Sequence, residues 1–211
     1  MASELKYPPE RPQRVAGNTL PILIRSFDRA YETAVRDLFT RCIHEIAPPS
    51  AQVEVESYIA RALAGDYRDI AAHYAPGRGR GFWLALSPAD DLIGTFALQP
   101  SSEDVAELCR MYVNAGFRRR GVARTMLARA EALCAEWGFR RLFLTTSSLN
   151  QAAVALYRAA GFERRDFVPE NAAAEPPPDV RVFAFEKALS LPLNLDGLAP
   201  AMRSEPERLE S

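Results

Sequence analysis

Arg118, Arg119 and Arg120 run directly into Gly121-Val122-Ala123, where a strand-like segment gives way to a helix-like one. The leading N–H groups of a helix lack partners inside it and lie at the positive end of its dipole, so a helix start is an anion site. Gly121 and Ala123 are small and let a phosphate approach the backbone closely. The three guanidinium groups add positive charge at that point. The pattern predicts a pyrophosphate cradle. It is not a Walker loop, since no Gly-Lys-Ser/Thr follows, and not a dinucleotide fingerprint, since G-x-G-x-x-G is absent.

Other reactive residue types are sparse. Cys42, Cys109 and Cys134 are widely spaced and odd in number, which fits neither a disulfide framework nor a zinc pattern and suits a reducing compartment. No metal is expected. Cys109 has no histidine beside it and reads as a buried apolar thiol. His44 and His73 are the only histidines, and a structural or solvent-facing role is expected for each.

The elements that must position the cradle follow from periodicity. Residues 20–27 read as a strand, and Asp28 can cap the helix after it. In that helix Val35, Leu38, Phe39, Cys42, Ile43 and Ile46 recur at three and four, until Pro48-Pro49 stops it. Residues 51–64 carry a weaker helical pattern, and a GRGRG turn spans 77–81. Residues 82–86 and 92–98 form a predicted hairpin, and 105–113 a further strand. The cradle opens a helix that runs to about Trp137 and closes at Gly138. Residues 141–146 are a strand, 150–159 a short helix, and 162–168 with 181–187 a final strand pair. The order predicts a mixed α/β sheet, with its parallel part around 105–146. Residues 1–19 are expected to be a loose arm, 20–187 the domain, 169–180 a proline-rich loop and 188–211 a tail.

Composition narrows the function classes. The chain has 211 residues, 48% hydrophobic and 25% charged, which supports a sizeable core. Basic and acidic residues nearly cancel, 26 against 27, so no global charge favours nucleic acid or a membrane surface. All but two of the basic residues are arginine. No apolar run reaches the roughly 18–20 residues of a membrane span, and residues 1–20 lack the apolar centre of a signal peptide. A cytoplasmic protein without nucleic-acid or membrane partners is expected.

The segment from Glu107 to Phe162 resembles the GNAT superfamily of acyl-CoA N-acyltransferases. RRRGVA is similar to its R/Q-x-x-G-x-G/A signature, ELCRMYV to the strand before it, and SSLNQAAVALYRAAGF to its Asn-x-x-A-x-x-x-Tyr-x-x-x-Gly-Phe segment. LPILIRSFDRAYETAVRDLF resembles the family's first strand and helix, so the likeness covers roughly residues 20–187. It implies a mostly antiparallel sheet splayed between its fourth and fifth strands and flanked by helices. Acetyl-CoA would lie in that splay as cosubstrate. Met111, Tyr112 and Val113 would meet the pantetheine, with backbone bonds from Met111 and Val113. Arg118, Arg119, Arg120, Gly121, Val122, Ala123 and Arg124 would hold the pyrophosphate.

The same resemblance implies that an acceptor amine attacks the thioester directly, with no covalent enzyme intermediate. Glu107 matches a position where the family often carries its base, acting through water. Tyr157 matches the general acid that protonates the departing thiolate. Asn150 would contact the pantetheine or cap the helix. The first helix and the TSSLNQAAVALYRAAGF stretch also resemble a subgroup that acetylates small amino compounds. That subgroup carries a membrane-associated apolar segment after the first helix, whereas residues 51–80 here contain Glu54, Glu56, Arg61, Asp66, Arg68 and Asp69. The resemblance allows a homodimer, and it leaves open a catalytically silent module that binds acyl-CoA as a sensor or complex subunit.

Overall fold

The apolar run before Asp28 forms an edge strand, β1 (Leu23–Ser26), in a computed structural model that describes residues 21–165 and 181–190. The Asp28 carboxylate accepts from the Ala30 N–H at 2.8 Å and starts a 3-10 turn, Arg29–Tyr31. That turn feeds α1 (Glu32–Ile46), which buries Val35, Leu38, Phe39, Cys42 and Ile43 on one stripe. The proline pair ends α1, and α2 (Gln52–Ala64) follows a second 3-10 turn. A single helical turn, α3 (Ile70–His73), was not expected from the pattern, because four residues carry no apolar period. Its cap is local, with the Asp69 carboxylate accepting from the Ala72 N–H at 3.1 Å.

The remaining elements are β2 (Gly81–Leu86), β3 (Leu92–Pro100), β4 (Val105–Val113), α4 (Val122–Glu136), β5 (Arg141–Ser147), α5 (Gln151–Ala159), β6 (Glu163–Arg165) and β7 (Val182–Ala188). The seven strands lie in the order β1-β2-β3-β4-β5-β7-β6. All neighbours are antiparallel except β4 and β5, which α4 joins as a parallel crossover. This is the mixed sheet that the sequence predicts. The predicted loop 169–180, the arm 1–19 and nearly all of the tail lie outside the described residues. Among the described residues no helix is long and apolar enough to cross a membrane.

Helices cover both faces of the sheet. On one face α4 and α5 pack Met126, Leu127, Val154 and Tyr157 against Phe96, Leu108, Leu144 and Phe185. On the other, α1 and α2 pack Phe39, Ile43 and Ile59 against Phe82, Leu84 and Leu86, with Tyr67 and Ile70 filling the end. Phe39 is fully buried at the centre of the second layer, stacked on Tyr67 at 4.5 Å and edge-on to Tyr112 at 5.5 Å. Phe39→Ala should therefore lower unfolding stability by about 3–5 kcal/mol, read from urea denaturation.

Candidate active site

The sheet comes apart at its middle. β4 pairs with β5 from Val105↔Arg141 to Leu108↔Leu144 and no further. Beyond that point β5 continues along β7 as far as Ser147↔Val182. β4 continues along β3 as far as Gly94↔Val113. Residues 109–113 therefore have a ladder partner on one side only. Backbone N–H and C=O groups require partners, so such an edge takes up water or an extended ligand.

A bulge lies in the same stretch. Thr95 faces Tyr112 and Ala97 faces Cys109, so Phe96 spans two residues, Arg110 and Met111. Arg110 is left-handed at φ +53°, which for a residue with a side chain costs about 1–2 kcal/mol. Its carbonyl accepts from the Thr95 hydroxyl at 3.0 Å. Its guanidinium forks onto Asp66 with two bonds of 2.7 Å and reaches the Tyr58 hydroxyl at 3.0 Å. Asp66 also accepts from the Tyr74 hydroxyl at 2.7 Å. No local pattern points to this cluster, because its members come from separate segments and only folding brings them together.

At the open end of β4 the arginine run leads into α4. Gly121 is the N-cap residue at φ +85°, with no side-chain cap, and the first turn holds no acidic residue. Arg119 is also left-handed, at φ +60°. The positive φ values at Arg119 and Gly121 turn the chain sharply into α4. Val122 is buried and anchors the helix in the core, while Arg119, Arg120 and Arg124 are exposed. Arg118 is turned elsewhere. Its Nε donates to the Val113 carbonyl at 3.1 Å and its Nη2 to Glu45 of α1. It fastens the arginine run to the end of β4 and to the first helix.

Tyr157 of α5 is buried at the gap, and its hydroxyl lies 3.8 Å from Met111 Sδ. Burial pushes its phenol well above the usual range, so the hydroxyl keeps its proton at neutral pH. Asn150 caps α5, its side-chain oxygen accepting from the Ala153 N–H at 3.2 Å. Glu107 is half-buried on the Cys109 face of β4 and accepts from Gln99 Nε2 at 2.7 Å. Thus Tyr157 approaches the gap from the α5 side and Glu107 belongs to the opposite face.

Cys109 lies 3.7 Å from the Tyr74 hydroxyl, and burial pushes its thiol up to about 12. At neutral pH it is protonated and unsuited to nucleophilic attack. His44 bridges to Glu56 at 3.5 Å, and His73 lies edge-on to Tyr74. Among the described residues no group of three or more His, Cys, Asp or Glu gathers at a metal site.

Comparison with known proteins agrees with this geometry. The model of the acetyltransferase (GNAT) family matches residues 34–162, more than half of the chain. N-acetyltransferase 8 of Rattus norvegicus is 30% identical over 114 residues, 52% of this chain and 51% of that protein. The chain thus spans about half the length of the curated relatives it matches. An acetyltransferase of the GNAT family from Staphylococcus aureus Mu50 superposes with a TM-score of 0.63 at 18% identity, covering 80% of this chain and 99% of that one. A PaiA N-acetyltransferase from Thermoplasma acidophilum, solved in complex with coenzyme A, superposes at 0.60 with 19% identity, covering 79% and 98%. The mostly antiparallel sheet, with β4 and β5 parallel and parting beyond Leu108, thus has the fold of these acetyltransferases, and the chain belongs to the GNAT acetyltransferase family.

Proposed function

We propose that the protein is an N-acetyltransferase that moves the acetyl group of acetyl-CoA directly to a primary amine of a small molecule, peptide or protein. The observation that carries this reading is the half-paired β4, open beyond Leu108, with an uncapped helix start at its end and a protonated tyrosine beside Met111. The free edge of β4 at Met111, Tyr112 and Val113 would pair with the amide groups of the pantetheine arm as an added strand. The N–H groups of Gly121, Val122, Ala123 and Arg124 would hold the pyrophosphate, with Arg119 and Arg120 adding charge. Arg118 would hold the loop in place through Val113. Asn150 has its oxygen in the cap, so its amide nitrogen would make any ligand contact.

The two faces divide the proton traffic. Glu107, on the α1/α2 face, would draw a proton from the incoming ammonium through water. Tyr157, on the α5 face, would return one to the leaving thiolate. A backbone N–H near Met111 would meet the developing oxyanion. The acceptor would enter between α1, α2 and β4. Three free cysteines and balanced charge fit a cytoplasmic protein that binds neither nucleic acid nor membrane. A homodimer is compatible with this arrangement.

The direct test is release of free CoA thiol from acetyl-CoA in the presence of a panel of amines, with acetylated products identified by mass spectrometry. Turnover on at least one amine is expected, and tight binding without turnover would instead make the protein an acyl-CoA-binding module. Tyr157→Phe should lower kcat on the order of 10²-fold with little change in KM for acetyl-CoA, and an unchanged rate across pH would remove its role as acid. Glu107→Gln should lower kcat/KM for the amine most at low pH, where the acceptor is ammonium. Gly121→Val forces a branched side chain into a left-handed position at a cost of about 1–2 kcal/mol. CoA affinity measured by calorimetry should fall by about 5- to 30-fold.

A further inference from the structure

Arg110 has a left-handed backbone that its own side chain disfavours, so its surroundings must impose it. They grip the residue at both ends. Thr95, itself buried, holds the carbonyl from β3. Asp66 holds the guanidinium in a two-pronged fork at 2.7 Å, and the Tyr58 hydroxyl takes a third N–H. The Phe39 and Tyr67 rings lie 5.6 and 5.1 Å from the guanidinium carbon. Asp66 is only 9% exposed and is steadied by Tyr74. It lies between α2 and α3, outside the sheet.

The bulge at Arg110 reverses the alternation of β4. Ala106 and Leu108 face the α4/α5 core, and an unbroken strand would send Arg110 and Tyr112 the same way. Instead Met111 and Val113 join that core, while Tyr112 joins Cys109 on the α1/α2 face. Met111 meets Tyr157 only because of this reversal. A buried ion pair is by itself weak evidence of stabilisation, since packed apolar side chains would serve as well. This pair, however, sits at the left-handed residue, just past the point where β5 departs.

We propose that Asp66, acting through Arg110, is a positioning residue for acyl transfer. The fork holds the bulge, and the bulge presents the one-sided edge of β4 and Met111 to the thioester in the gap. This rests on the acyl-transfer reading above. The Asp66 segment follows α2, so the helices that would receive the acceptor also set the geometry of the reacting strand.

The test uses the full chain with Asp66→Asn and, separately, Arg110→Lys. Arg110→Lys keeps the Asp66 carboxylate opposite a cation but removes the planar fork, so it remains informative if Asp66→Asn fails to fold. Both folded variants should lose about 10- to 100-fold in kcat, the scale of a small misplacement at a reacting centre. CoA affinity should fall by much less than kcat, because the helix start that would hold the pyrophosphate is untouched. The carbon chemical shifts of residue 110 should be left-handed in the wild type and move to extended values in the variants. Unimpaired kcat, a retained left-handed signature, or CoA affinity falling in step with kcat would overturn the proposal. Wild-type protein that turns over no amine overturns the acyl-transfer reading and this role with it. Wild-type turnover with unimpaired variants overturns this role alone.

Discussion

Half of β4 has two neighbouring strands and half has one, and the cleft depends on that change of partners. Up to Leu108 the strand is bonded on both sides, and from Cys109 onward β5 has left it to follow β7. A strand edge cannot stay dry and unpaired, because each lost backbone bond is costly in a buried setting. The antiparallel ladder with β3 keeps the free half of β4 in place. The parallel crossover through α4 brings a helix start to its end. The strand edge, the helix start and the tyrosine are thus brought to the same part of the sheet by topology rather than by nearness in sequence.

The two faces of the opening differ in character. The α4/α5 face is an apolar core that ends in Tyr157 and Met111. The α1/α2 face carries tyrosines, a guanidinium and a carboxylate packed together, with Tyr58, Tyr74, Arg110 and Asp66 in one hydrogen-bonded group. Burial raises the phenols of Tyr67, Tyr74 and Tyr157 and the thiol of Cys109, so these groups stay neutral. The arginine in this group faces a carboxylate at two points, so neither of these two buried charges stands alone.

The arginines of the cofactor-like loop are not equivalent. Arg118 is committed to Val113 and Glu45, and it fastens α1 to the loop. Arg120 packs its guanidinium over the Phe117 ring at 5.7 Å. Arg119 supplies a left-handed backbone as well as a charge. A run of identical residues therefore divides into a tether, a stacked cation and a turn, because each meets a different surface.

Much of this was legible from local pattern. The apolar stripe of α1, the β2–β3 hairpin, β4 itself and the start of α4 at Gly121-Val122 follow from spacing within a few residues, which is the range over which helices and strands are decided. Asn150 and Tyr157 were legible as two turns of one short helix. The single turn α3 was not, because it is too short to show a period. Arg110 was read only as one letter of a strand, and Asp66 only as one charge in a polar stretch. The sequence by itself determined the main elements, their order and the positive charge gathered at the start of α4, since these are local. Only the tertiary structure decided where β4 loses its second partner, which way Arg118 turns, and that Asp66 and Arg110 meet across 44 residues of chain. Those depend on packing between distant segments, where a buried charge must find its counterpart and a bulge must be held from outside the strand.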